Sequence, residues 1–224
     1  MSKISVIFLS LLFLTLGCNK VTDPVSEKPK QQIPPVIQSI NVVQYANDEN
    51  VIYRGDKDIE FECVSYDKDG FIADYVWDAT GGTIHSSANH ARWDAPLGAP
   101  GKYYITCTVK DNDNNIARQR YEVTTKNRSP YIKSIAVFQT EPIQNPEIKT
   151  GDTAHFIISW TDPEHDPVQF RFIYPDTTTP WLDDNQSVWG PKVGMTGSVM
   201  VYCEVKDIYD GIGTDSVKVT IIDQ

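Results

Sequence analysis

One nine-residue strand pattern occurs twice in this chain, and it limits the possible fold more than any other feature. The first copy is Tyr103-Tyr104-Ile105-Thr106-Cys107-Thr108-Val109-Lys110-Asp111; the second is Val199-Met200-Val201-Tyr202-Cys203-Glu204-Val205-Lys206-Asp207. Tyr103, Ile105, Cys107 and Val109 alternate with more polar neighbours, as do Val199, Val201, Cys203 and Val205. A period of two marks a strand with one buried face. Both copies follow a glycine turn, at Gly101 and Gly197, and both end in Val-Lys-Asp. Two copies 96 residues apart predict two domains of similar build. A chain of 224 residues has room for two domains of about 100 residues, each with its own core.

The rest of the chain repeats with the same offset. Pro35-Val36-Ile37-Gln38-Ser39-Ile40 returns as Pro130-Tyr131-Ile132-Lys133-Ser134-Ile135, a first strand of edge type in each copy, since proline is tolerated where no ladder N–H is needed. Gly55-Asp56 returns as Gly151-Asp152, a turn. Ile59, Phe61 and Cys63 then point inward, as Ala154, Phe156 and Ile158 do in the second copy. Trp93 matches Trp189, and both are expected in the core. About seven short strands per copy, with turn residues every 8–12 positions and no helical period, predict an all-β chain of two tandem immunoglobulin-like sandwiches. The boundaries fall at 35–126 and 127–224. The link from Thr125 to Ser129 is too short to allow much relative motion.

The N-terminus carries different information. Lys3 precedes an apolar run from Ile4 to Leu16 that is too short to span a bilayer, the pattern of a signal peptide over 1–17. Leu14-Thr15-Leu16-Gly17-Cys18 resembles the bacterial lipobox, with Thr15 where leucine is commonest. The resemblance implies a lipoprotein cut before Cys18 and lipidated on it; the alternative is an ordinary signal peptide with an incidental cysteine. Two or more acyl chains anchor stably, at about 0.8 kcal/mol per buried CH₂. Asn19 stands where aspartate would signal inner-membrane retention, so the resemblance implies a lipid anchor in the outer membrane. Residues 18–34, rich in Lys, Pro, Glu, Gln and Ser, are expected to be a flexible tether. A net charge of −10 without a basic patch argues against nucleic acid as a partner, because phosphate contacts need clustered positive charge.

Tyr66-Asp67-Lys68-Asp69-Gly70-Phe71-Ile72-Ala73-Asp74-Tyr75-Val76-Trp77, with the closing strand from Gly101 to Asp111, resembles the PKD family. Asp162-Pro163-Glu164 and Asp166-Pro167-Val168 resemble related bacterial immunoglobulin-like variants, although the second copy lacks the tryptophan of the signature. The resemblance implies β-sandwich modules for binding, spacing or assembly on exported proteins, usually without catalysis. Cys63, Trp77 and Cys107 follow the Cys…Trp…Cys order of immunoglobulin domains. A Cys63–Cys107 disulfide is the preferred reading for an exported chain, and two buried thiols the other. Its loop of about 44 residues would contribute ~3–4 kcal/mol in the loop-entropy model. Cys203 faces Ile158 and is expected to be a lone buried thiol.

Other constellations carry less. Asp67, Asp69, Asp111 and Asp113 lie in turns at one end of the first sandwich and could bind calcium, as some members of the family do; aspartate is also simply a good turn residue, and this is favoured. The analogous Asp162, Glu164, Asp166 and Asp207 form a weaker candidate, stiffened by Pro163 and Pro167. Trp181 and Tyr174 could make an aromatic platform for a sugar ring. Arg54-Gly55-Asp56 spells an integrin-binding tripeptide, but Thr150-Gly151-Asp152 occupies the same turn, so geometry explains it. His85 and His90 lack further zinc ligands, and neither a nucleophile motif nor a phosphate loop is present. The expectation is a non-catalytic envelope module with no cofactor other than possible calcium. It would serve adhesion, assembly or spacing, with a protein or polysaccharide partner; the alternative is a carbohydrate- or calcium-binding module.

Overall fold

Strand alternation in the sequence becomes two layered sandwiches in the computed structural model, which describes residues 32–139 and 146–223. The signal peptide, Cys18 and most of the tether lie outside the described residues. The first sandwich contains β1 (Val36–Gln44), β2 (Ile52–Tyr53), β3 (Ile59–Tyr66), β4 (Ile72–Ala79), β5 (Thr83–Ser87), β6 (His90–Asp94), β7 (Gly101–Asp111) and β8 (Ile116–Lys126). One sheet has the order β1-β3-β6-β5 and the other β2-β8-β7-β4. The second sandwich contains β9 (Tyr131–Phe138), β10 (Glu147–Lys149), β11 (Ala154–Thr161), β12 (Val168–Ile173), β13 (Gln186–Trp189), β14 (Gly197–Asp207) and β15 (Ile212–Ile222). Its sheets run β13-β11-β9 and β10-β15-β14-β12. In each half the chain leaves its first strand and crosses to the opposite sheet, where a short strand pairs in parallel with the last one.

Each half closes its own core. Phe61 meets Trp93 edge-on at 6.4 Å, and Phe156 meets Trp189 in the same way at 6.4 Å. The register explains the match: Ile59 opposes Trp93 on β3 and β6, and Ala154 opposes Trp189 on β11 and β13. Ile105, Cys107 and Val109 of β7, and Val201, Cys203 and Val205 of β14, are fully buried, so the repeated pattern forms the centre of each sandwich. Burying such side chains stabilises by about 1.5–3 kcal/mol each. Thr106 is also buried although its place in the alternation faces away from this core.

The halves differ in one region. The first has eight strands, because Gly81-Gly82 turns the chain back into the hairpin β5–β6. Gly82 has φ of +78°, and a Cβ there would sit 2.1 Å from the Asp94 carbonyl oxygen and 2.7 Å from Trp93 Nε1. Only glycine fits this passage over the tryptophan. In the second half the chain after β12 runs beside that strand instead. Phe170 bridges Leu182 and Ile173 bridges Thr178. The insert thereby covers an edge that would otherwise expose unpaired N–H and C=O groups.

Candidate functional site

Among the described residues, three turns share one construction, and two of them lie where the sandwiches meet. At Asp111, Oδ1 accepts the N–H groups of Asp113 and Asn115 at 2.8 Å each. At Asp207, Oδ1 accepts those of Tyr209 and Gly211 at 2.7 and 2.9 Å. At Asp162, Oδ1 accepts those of Glu164 and Asp166 at 3.0 and 2.9 Å. In each turn the residue three places on, Asn114, Asp210 or His165, has positive φ and donates its N–H to the aspartate carbonyl. A short acceptor side chain that satisfies two backbone donors is the reason aspartate occupies these places.

Asp111 therefore serves its own turn. Burial pushes its carboxyl up, but the Asn115 side chain and the two backbone N–H groups outweigh that and leave it below the usual carboxylate range. Asp67 accepts the Asp69 N–H, and Asp69 accepts the Ile33 N–H at 3.3 Å. Among the described residues, the acidic group whose ligand atoms converge within 4.8 Å is not this set but Asp162, Glu164 and Asp166 in the second sandwich.

The joint is built around Arg54, which is 2% exposed. Its guanidinium donates to both oxygens of Asp166, at 2.6 and 2.9 Å, across the boundary between the halves. It also donates to the carbonyls of Gly98 and Leu97, at 2.6 and 2.9 Å, and to Asn127 Oδ1 at 2.6 Å. These bonds use all five N–H donors of an arginine. The Tyr209 ring lies under the guanidinium, 4.2 Å from centroid to Cζ. Hydrogen bonding to Asp166 raises the Arg54 pKa above its ordinary value, so the group stays charged although buried.

Arg128 makes a second tie. It donates to Asp56 of the first half at 2.5 Å and to Glu164 of the second at 2.9 Å, over the ring of Tyr53. Burial pushes the Glu164 carboxyl up, and Arg128 beside it only partly reverses that. Asn127 completes the set by donating to Asp207 Oδ2 at 2.6 Å. In the first sandwich the matching oxygen, Asp111 Oδ2, is met by Asn115 from within its own turn at 2.9 Å.

Arg54-Gly55-Asp56 is therefore buried in the joint and not presented to solvent. Its turn has the expected geometry, with Gly55 at φ of +72° and Gly151 at +89° in the second copy. The use of Arg54 was missed. The signal was the mismatch in the repeat: Thr150 stands where Arg54 does, so turn geometry accounts for Gly-Asp but leaves the arginine unexplained.

Cys63 and Cys107 are buried free thiols in the structure and adjoin one another between the sheets, the arrangement that either reading of the sequence, a disulfide or two buried thiols, requires. The fold brings the pair together; the covalent bond also requires an oxidant. Their hydrogen bond lowers the Cys63 pKa and raises that of Cys107. Cys203 is a buried thiol pushed up to about 12 by burial, which leaves it unreactive.

Tyr174 is not a ligand platform. It is 5% exposed and stacks between Phe172 and Trp189, at interplanar angles of 8° and 6°. The inward alternation of Phe170 and Phe172 simply continues to Tyr174. Trp181 is half-buried in the insert, with Arg171 at 4.6 Å and Lys206 at 4.9 Å over its ring. Cations already occupy the surface a sugar would stack on. His85 and His90 border a shallow groove with Glu60 and Arg92 and are diagonal neighbours on one face of the β5–β6 hairpin, but among the described residues neither belongs to a group of three metal ligands.

No protein-family model and no curated protein matches the chain. Among solved structures, the fibronectin(III)-like modules of Clostridium thermocellum CbhA are 14% identical, with 83% of this chain and 95% of that one covered and a TM-score of 0.36. The PKD1 domain of Vibrio anguillarum Epp is 19% identical, over 43% of this chain and 98% of that one, with a TM-score of 0.33. The insect immune protein hemolin is 12% identical, over 88% of this chain and 49% of that one, with a TM-score of 0.45. At these TM-scores the likenesses add nothing to the sheets, whose β1-β3-β6-β5 and β4-β7-β8 orders are those of an immunoglobulin sandwich. The chain carries two tandem immunoglobulin-like sandwiches. In both, the aspartate turns of one end and the Gly-Asp turn of the other are repeated.

Proposed function

We propose that this protein is an exported bacterial lipoprotein, held in the outer membrane by lipid on Cys18, whose paired sandwiches act as a non-catalytic adhesion, assembly or spacer module. The observation that carries this reading is the joint. A spacer or assembly module must hold its domains in a set relation, and a linker alone leaves them to move. Here a buried guanidinium commits every donor around the boundary, and a second arginine bridges both halves. Each acidic side chain brought together gives at least one oxygen to a backbone N–H or an arginine, and the described thiols are buried. These features favour a structural role over turnover.

The test is intact mass of natively expressed, membrane-extracted protein, alkylated with and without prior reduction. A lipid-sized increase on Cys18, with Cys63 and Cys107 alkylated only after reduction, supports export and anchoring. In that compartment the two thiols close to a disulfide, passing two protons and two electrons to the resident thiol oxidant. An uncleaved chain with every thiol free sinks the location. Hydrolysis of polysaccharide or peptide substrates by the purified chain sinks the non-catalytic reading separately.

A further inference from the structure

The Asp162 turn contains an electrostatic imbalance that its protein partners leave uncorrected. Asp162 is 2% exposed and the Glu164 side chain 1% exposed. Asp162 Oδ1 and Glu164 Oε1 are hydrogen-bonded, but Asp162 Oδ2 and Glu164 Oε2 are buried with no hydrogen-bond partner. A buried carboxylate oxygen without a donor is costly, and two of them in one turn more so. Charge counts the same way. Asp56, Asp162, Glu164, Asp166 and Asp207 gather at the joint around the two guanidiniums, which leaves three negative charges in excess.

We propose that this turn is a binding site for a hard divalent cation of the calcium type, set at the joint between the sandwiches. Asp162, Glu164 and Asp166 would each give it a carboxylate oxygen, one from each lying within 4.8 Å of the others, and Asp162 Oδ2 and Glu164 Oε2 have no hydrogen-bond donor to compete with the ion. The Asp166 oxygens accept from Arg54, but a carboxylate has lone pairs left for a metal. Oxygen-only donors of this charge select calcium over softer metals. Because Arg54 and Arg128 tie the same carboxylates to the first half, the bound ion also stiffens the joint. The site does not depend on the lipid anchor: failure of lipidation would sink the proposed location and leave this inference standing.

The experiment is calorimetric titration of the full chain, purified in detergent and freed of metal, with calcium chloride, together with its thermal unfolding midpoint. The expected result is one equivalent bound and a midpoint that rises with calcium. Glu164→Gln keeps the oxygen that accepts from Arg128, and Asp162→Asn keeps the oxygen that holds the turn. Each should weaken binding by at least the roughly tenfold that even outer partners of a metal are worth. Asp67→Asn, in the corresponding turn of the first sandwich, should bind as the parent does. No heat and no shift of midpoint up to about 10 mM, above the weak end of extracellular calcium modules, overturns the proposal. The orphaned oxygens are then met by water or a proton. Binding that survives Glu164→Gln but disappears in Asp67→Asn overturns it as well. If Asp162→Asn does not fold, Glu164→Gln alone decides.

Discussion

Arg54 is the residue on which the two halves most depend. Its removal leaves the largely covered Asp166 beside other carboxylates without its bidentate partner, and breaking a buried pair typically costs about 3–5 kcal/mol. Arg54→Ala should therefore lower the urea unfolding midpoint sharply. Arg54→Lys should recover little, since an ammonium cannot supply a planar fork with five donors. Asp176 offers a gentler case. It accepts the indole N–H of buried Trp189 at 2.8 Å, and that bond, with help from Lys192, holds its carboxyl below the usual range. A depressed folded pKa contributes stability above the ordinary carboxylate value, and this is lost as pH falls through the depressed one. Asp176→Asn keeps an acceptor for Trp189 and should flatten the acid end of a stability–pH profile. Asp176→Ala leaves the indole unpaired and should cost about 1–3 kcal/mol at neutral pH.

At the scale of elements, the Gly81-Gly82 turn makes the sharpest prediction. Gly82→Ala adds the strain of positive φ, about 1–2 kcal/mol, to a Cβ placed 2.1 Å from a carbonyl oxygen. A loss above about 2 kcal/mol in urea unfolding is expected. Strands were readable in the sequence because alternation is a local property: Ile105, Cys107 and Val109 declare their buried face within five residues. The turns were readable for the same reason, and aspartate stands in them for the chemistry the sequence suggested. What local pattern cannot show is a partner 112 positions away, as Asp166 is from Arg54. Tyr174 and Trp181 were misplaced because an insert replaces a hairpin at that point, and the repeat gives no template for an insert. The acidic clusters are analogous in sequence, the second set below the first because Pro163 and Pro167 stiffen its loop. They differ because one faces the N-terminal side of the first sandwich and the other a neighbouring domain.

For the molecule as a whole, the Cys63–Cys107 pair, once oxidised, would tie the sheets of one half only. Oxidised protein should be more stable than reduced protein by ~3–4 kcal/mol, and the gain should appear in the unfolding of the first sandwich. Cys203→Ala should leave that difference unchanged. The second half has no such staple, and it has another dependence. Its Asp207 turn takes from Asn127 the hydrogen bond that the Asp111 turn takes from its own Asn115. Asn127→Ala should cost about 1.5–3 kcal/mol, the worth of a hydrogen bond to a charged group, by equilibrium denaturation. The first sandwich finishes its turn with its own residues, whereas the second needs one that belongs to the strand exit before it. A chain that emerges N-terminus first, as every nascent chain does, thus completes the self-sufficient half early and offers its last residues as a template to the half still being made. A cut just after Asn127 would be felt unequally, leaving the leading fragment with its turn closed and the trailing one with its turn open.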